Sequence, residues 1–186
     1  MFGKQSSPSD QPVTVSFLML AEIVVAVNFR RSNVKLDTVR KAHAFAREFL
    51  KVSHPFAFSE FEMLGGHIMH EFSLESGEPP LYRALDTEGK QVALPMKVLK
   101  RVRQLEFVEE QGFAARWFPL GREVPVVVDP RFAAGRPSVA GRGIRAETIL
   151  TRFFKGRESI SALAEDFDLD TKVVEIIIQN EKALAA

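Results

Sequence analysis

Apolar and polar residues alternate with different periods along the chain, and the changes of period mark its elements. The first residues, MFGKQSSPSDQP, bury too little apolar surface to offset the entropy of ordering, which predicts a loose arm over residues 1–12. From Val15 to Phe29 almost every position is apolar. That predicts a helix covered on more than one face, by a second helix, a sheet or another subunit. Leu36, Val39, Ala42, Ala46 and Phe49 then recur at three-to-four spacing, so Leu36 to Leu50 reads as a second helix with Arg40, Arg47 and Lys51 on its opposite side. Ser32 and Asn33, good turn and cap residues, fold the two into a hairpin.

His54-Pro55 closes this unit, because the residue before proline is pushed out of helical geometry. Glu62 to Phe72, with Gly65-Gly66 between apolar runs, reads as a β-hairpin. Leu81 to Leu85 and Gln91 to Leu94 flank a second turn at Asp86 to Gly89. Met96 to Leu105 returns to helical spacing, with Lys97, Lys100 and Arg101 directed outward. Glu106 to Val108 and Phe113 to Phe118 bracket Glu-Glu-Gln-Gly as a further hairpin with Trp117 and Phe118 partly buried. Pro119 to Glu123 is the expected boundary between a domain over residues 13–122 and one over 123–186. In the latter, Glu147 to Phe154, Ser159 to Phe167 and Asp170 to Leu184 read as three helices, with Gly156 as a stop, Ser159 as a cap and Asp168-Leu169-Asp170 as a tight turn. Ile149, Leu150, Phe153, Ile160, Leu163, Ala164, Phe167, Leu169, Val173, Val174 and Ile177 can meet in one core, a helix-turn-helix pattern. The predicted class is α+β: an N-terminal helical hairpin with β-hairpins, followed by a small three-helix domain.

Composition narrows the function classes. At 186 residues, 46% hydrophobic and 26% charged, the chain is an ordinary core-forming protein. It has no cysteine, which removes disulfides and thiolate metal sites and fits a cytoplasmic setting. The run from Phe17 to Val27 is interrupted by Glu22 and falls short of the roughly 20 residues that span a bilayer. Lys4 and Asp10 make a poor secretion signal. Net charge is only +1, but it is unevenly spread. Residues 28–51 carry seven Lys/Arg against two acids, and 97–103 four against none. Residues 158–186 carry two Lys against seven acids. A polyanion at the basic patches and a basic partner at the acidic end would both be accommodated.

Between Val126 and Ile144 lies the run VVVDPRFAAGRPSVAGRGI, a short β-branched strand followed by three glycines and two prolines. Asp129-Pro130, Gly135-Arg136-Pro137, Gly141-Arg142-Gly143-Ile144, Gly156 and the Ser159 to Phe167 segment with Leu163-Ala164 and Asp166-Phe167 together resemble the family catalogued as "domain of unknown function 433". Gly143 stands where that pattern has a bulkier polar residue. The resemblance implies an antitoxin that neutralises a PIN-type ribonuclease toxin through a helix-turn-helix-containing chain. Residues 13–122 are similar to the longer, VapB-like subclass with a MerR-type N-terminal region, carried by the apolar helix, Arg30-Arg31, the basic second helix, His54-Pro55 and the Leu105-Glu106-Phe107 and Trp117-Phe118-Pro119 segments. That subclass has a helix-turn-helix upstream of the apolar helix. Only about a dozen polar residues precede it here, so base reading by this half is not expected.

Catalytic signatures are thin. His67-x-x-His70-Glu71 has metal-ligand residue types, but on the expected strand positions three apart face opposite sides, so no metal or other cofactor is expected. No serine sits in a Gly-x-Ser-x-Gly elbow, and Gly135 to Gly143 lacks the Gly-Lys-Ser/Thr ending of a phosphate loop. A non-enzymatic binding protein follows. The helix from Asp170 carries Glu175 and Glu181 against Lys172 and Lys182, poor electrostatics for a base-reading helix. Contacts to operator DNA would therefore fall to Arg30, Arg31, Arg40, Arg47, Lys97, Lys100, Arg101, Arg142 and Arg145, acting on phosphates, with Arg136 and Arg152 further candidates. The toxin surface expected from charge complementarity to an RNA groove is Glu165, Asp166, Asp168, Asp170 and Glu175, with Ile176 and Ile178 holding the complex. The apolar first helix predicts a homodimer. A stand-alone DNA-binding regulator without a toxin, or a structural assembly module, are the alternatives.

Overall fold

The computed structural model describes residues 15–85 and 91–184. The expected arm over 1–12 and the turn at Asp86 to Gly89 lie outside the described residues. The chain is α+β, dominated by helices and carrying small antiparallel strand pairs. Helix α1 runs Phe17–Arg30 and begins where the Ser16 hydroxyl accepts the Met19 N–H at 3.2 Å. Asn33, at φ 65°, reverses the chain into α2, Leu36–Leu50. The hairpin forms, but Ser32 and Asn33 do not cap α2: Lys35 precedes it without a side-chain bond, and the Ser32 hydroxyl donates back to the Asn28 carbonyl. Past His54 a single 3-10 turn, Pro55–Ala57, is fully buried.

The expected hairpin at Glu62 to Phe72 is instead part of helix α3, Glu60–Ser76. The apolar positions Phe61, Ile68, Met69 and Phe72 share one buried side with Gly65 and Gly66, a helical repeat that the glycine pair interrupts in sequence but not in space. The segment Val92–Ala93 explains the second glycine: a Cβ on Gly66 would lie 2.4 Å from the Ala93 Cα. The glycines are there for close helix–strand approach, not for a turn. Gly77, at φ 67°, ends the helix.

Strands β1, Arg83–Ala84, and β2, Val92–Ala93, form the second expected hairpin. Helix α4, Met96–Val102, stops short of Leu105, which begins β3, Leu105–Phe107, paired with β4, Ala114–Trp117. A first core gathers Val25, Phe29, Phe56, Phe61, Ile68, Met69, Val98 and Leu105 from these elements. A second core begins beyond Pro119. It collects Val126 and Val139 from the antiparallel pair β5, Val126–Val127, and β6, Ser138–Val139, with Ile149, Leu163, Val174 and Ile177. Every apolar residue expected in the C-terminal core packs there.

The helices of that unit are α5, Ala146–Phe154, α6, Ile160–Phe167, and α7, Thr171–Gln179. Ser159 caps α6 through the Ala162 N–H and Asp170 caps α7 through the Lys172 N–H. The expected continuous helix to Leu184 breaks at Asn180, whose side-chain amide donates to the Ile176 carbonyl, and a short α8, Glu181–Leu184, follows. Leu184 thereby turns into the core. The two cores meet where Trp117 exchanges backbone hydrogen bonds with Val128 at 3.0 and 2.8 Å. Among the described residues, no helix is long and apolar enough to cross a membrane.

Candidate interaction surfaces around the glycine-rich loop

The loop from Val128 to Arg145 hangs on the β5–β6 pair and is tied at its ends. Ala146 N–H donates to the Pro137 carbonyl and Ala140 N–H to the Pro125 carbonyl. Between them the backbone repeatedly takes positive φ: Ala133 at 50°, Ala134 at 52°, Gly135 at 71°, Gly141 at 75° and Gly143 at 67°. At Gly141 and Gly143 a Cβ would meet open space, so conformation rather than crowding favours glycine there.

Asp129 is the loop's anchor. Only 2% of it is exposed, yet its carboxylate accepts the Arg131 backbone N–H at 2.9 Å, the Arg131 guanidinium at 3.0 and 2.7 Å and Arg116 Nε at 3.2 Å. The Arg131 hydrogen bonds hold the carboxyl below its ordinary range against the burial that would raise it, and the Arg116 charge adds to them. Arg116 also reaches Glu106 at 3.2 Å, so the clamp links β4 of the first core to the loop of the second. Around this clamp opens a cleft of about 430 Å³ lined by Arg116, Phe118, Asp129, Phe132, Ser138 and the 139–143 turn. Phe132 is exposed under the Arg131 guanidinium, 5.7 Å from its centre. A second cleft of about 490 Å³ lies between Arg136, Glu147, Leu150, Phe154, Glu181 and Leu184. Phe132 and Phe154 are exposed aromatic rims that charge-led reading passed over.

The acidic residues named from sequence are less free than their spacing suggests. Asp166 pairs with Arg152, and Asp168 pairs with Arg142 at 2.6 Å. Asp170 is engaged as the cap of α7. Glu165 and Glu175 are exposed with no partner among the described residues. Arg152 binds Glu158 as well as Asp166 and stacks on Phe167 at 4.9 Å, so it staples α5 to α6 rather than standing ready for phosphate. Those hydrogen bonds raise its pKa above the usual guanidinium range. Ile176 and Ile178 do not share a face: two helical steps separate them by roughly 200°, and Ile178 packs on the core. Arg142 closes the glycine loop onto the end of α6, while Arg145 stays exposed.

The basic residues of the first half form a corner, not a continuous stripe. Lys97 Nζ approaches the Arg31 carbonyl at 3.5 Å, Arg30 binds the Val34 carbonyl, and Lys100 is exposed beside them on α4. Arg101 does not point outward as expected. It is half-buried on Gln104 Oε1 and the Pro119 carbonyl, and burial together with the Arg31 charge lowers its pKa. Arg40 and Arg47 are exposed on α2, Arg40 beside an apolar groove lined by Met19, Ile23, Ala26 and Leu36. On the same side of α1, Val15, Met19, Ile23 and Val27 recur every fourth residue and remain exposed.

No protein-family model matches the chain, and no curated protein matches it in sequence. Among solved structures, the X-ray crystal structure of Rv2018 from Mycobacterium tuberculosis superposes with a TM-score of 0.78. The two chains are 21% identical over 94% of this chain and 83% of that one. The likeness is one of fold.

Proposed function

We propose that this chain is the antitoxin of a type II toxin–antitoxin pair and binds a PIN-type ribonuclease through its C-terminal unit, a helix-turn-helix domain over residues 123–186. The observation that carries the reading is that the motif residues act as one device. Asp129 fixes the start of the loop, Gly141 and Gly143 shape its return, and Arg142 closes it onto Asp168 at the end of α6. A ribonuclease presents a basic groove to RNA, and Glu165 and Glu175 are exposed acids of this unit with no cation paired to them among the described residues. Exposed Phe132 and Phe154 supply apolar anchors of the kind that dominate protein interfaces. Self-association through the Val15, Met19, Ile23 and Val27 stripe completes the assembly, since burying such a stripe against its own symmetry mate is the commonest solution.

The test is co-expression with the product of the adjacent reading frame. Co-purification of a small nuclease and loss of its RNA cleavage in the complex are the expected results. Neutralising Glu165→Gln and Glu175→Gln together slows association at low salt and converges with wild type at high salt. A nuclease that neither binds nor is inhibited refutes the reading.

A second reading, a DNA-binding regulator acting on operator phosphates, is favoured by one observation: Arg31 and Lys97 crowd together, with Lys97 Nζ 3.5 Å from the Arg31 carbonyl, and the Arg31 charge adds to burial in lowering the pKa of Arg101. A phosphate would relieve that crowding. Binding of this kind weakens steeply with salt and discriminates little between sequences.

A further inference from the structure

We propose that His67, His70 and Glu71 on α3 form a binding site for one divalent transition-metal ion of the zinc type, separate from the surfaces assigned above. The strand once expected here would have sent the two imidazoles to opposite sides. The helix instead brings positions i, i+3 and i+4 onto one face. His67 Nδ1 lies 3.9 Å and His70 Nδ1 3.5 Å from Glu71 Oε1, and a ligand atom from each of the three residues lies within 4.8 Å of the others. Two ligands about 2.1 Å from a shared tetrahedral ion stand about 3.4 Å apart. Small side-chain rotations therefore bring all three donors into range.

Both imidazoles are braced. His70 meets the Tyr82 ring edge-on at 4.9 Å between centroids, and His67 meets Phe49 at 6.1 Å. One helical turn before His70, the Gly66 contact with Ala93 fixes α3 against β2. Rings held in place lose less freedom on binding, which favours a preorganised site. Among the described residues no lysine or arginine pairs with Glu71, so its charge is left for a cation. Two imidazoles and a carboxylate suit zinc, nickel or cobalt rather than calcium or magnesium. Three protein ligands leave a position for water, as in open rather than closed zinc sites.

The experiment is titration of the full chain, stripped with EDTA, with Zn²⁺ by calorimetry and with Co²⁺ by visible absorption. The expected result is saturable binding of one ion per chain, with roughly tenfold or greater weakening in each of His67→Ala and His70→Ala and a smaller loss in Glu71→Gln. Far-ultraviolet circular dichroism checks that these variants keep the fold, and Zn²⁺ raises the wild-type Tm but not that of His67→Ala. Absence of saturable binding overturns the proposal. So does binding that survives His67→Ala and His70→Ala but disappears in His54→Gln, which would place the ion on the Glu22, His43 and His54 group.

Discussion

Replacing Gly66 by alanine sets two effects of opposite sign against each other. In a helix interior alanine is favoured over glycine by about 0.8–1.0 kcal/mol, so propensity alone predicts stabilisation. The position is closed, however: the new Cβ would lie 2.4 Å from the Ala93 Cα and 2.7 Å from the Val92 carbonyl oxygen, both backbone atoms. Carbon atoms in contact prefer about 3.5–4.0 Å, so the overlap exceeds about 1 Å and no rotamer relieves it. Strand β2 must shift away from α3, and Leu94 with it. Overpacking of this kind costs roughly 1–3 kcal/mol, and with two backbone atoms inside contact distance the upper end applies, so a net loss of about 2 kcal/mol remains after the propensity gain. For a chain of this size that is about 4–8 °C in Tm. Gly65→Ala is the internal control. Its Cβ would meet only side-chain atoms, those of buried Leu94 at 2.8–3.1 Å, and no backbone across the interface, so a smaller loss is expected. Thermal and urea denaturation of both variants decide the matter. A Gly66→Ala protein as stable as wild type, or more stable, would refute the close α3–β2 packing. Equal and large losses at both positions would point to a glycine turn instead of a helix.

Asp129→Asn removes a charge that Arg131 and Arg116 both hold; hydrogen bonds to charged groups are worth about 1.5–3 kcal/mol, and because both arginines can rehydrate, a loss near 1–2 kcal/mol is expected by urea denaturation. The Asp129 carboxyl titrates below its ordinary value in the fold, so its contribution is complete above the unfolded value, about 3.9, and fades as pH falls; the difference between wild type and Asp129→Asn should therefore shrink below that pH. Glu22 bridges His43 at 2.7 Å and His54 at 2.9 Å, tying α1 to α2 and to the loop before the 3-10 turn. Burial alone would raise its pKa, but the two histidine hydrogen bonds and charges overcome burial and lower it, so Glu22→Gln is destabilising at neutral pH by a margin that narrows below about pH 4.3. Ile23→Lys, on the exposed stripe of α1, leaves the first core untouched and shifts light scattering toward monomer; an unchanged mass would exclude that stripe as the self-association surface.

The helical period of α2, the Ser159 cap and the apolar residues of the three C-terminal helices were legible in sequence, because each follows from the spacing of residues a few positions apart; the Asp170 cap and the share of Val126, Val139, Ala146 and Leu184 in that core were not. The β1–β2 and β3–β4 hairpins were legible too, from apolar runs around turn residues, whereas the pairing of Val126–Val127 with Ser138–Val139 across the glycine-rich loop was not. What sequence alone could not settle depends on partners distant along the chain. Gly65-Gly66 reads locally as a turn, and only the arrival of β2 at Gly66 shows that the pair makes room for close approach inside a helix. That reversal puts His67, His70 and Glu71 on one face. In the same way, the seven acids from Glu158 onward look like a free negative surface until Arg152 and Arg142 fold against Asp166 and Asp168. Local sequence fixes the backbone's period, but which charges stay available and which glycines are spacers is decided by what tertiary packing brings beside them.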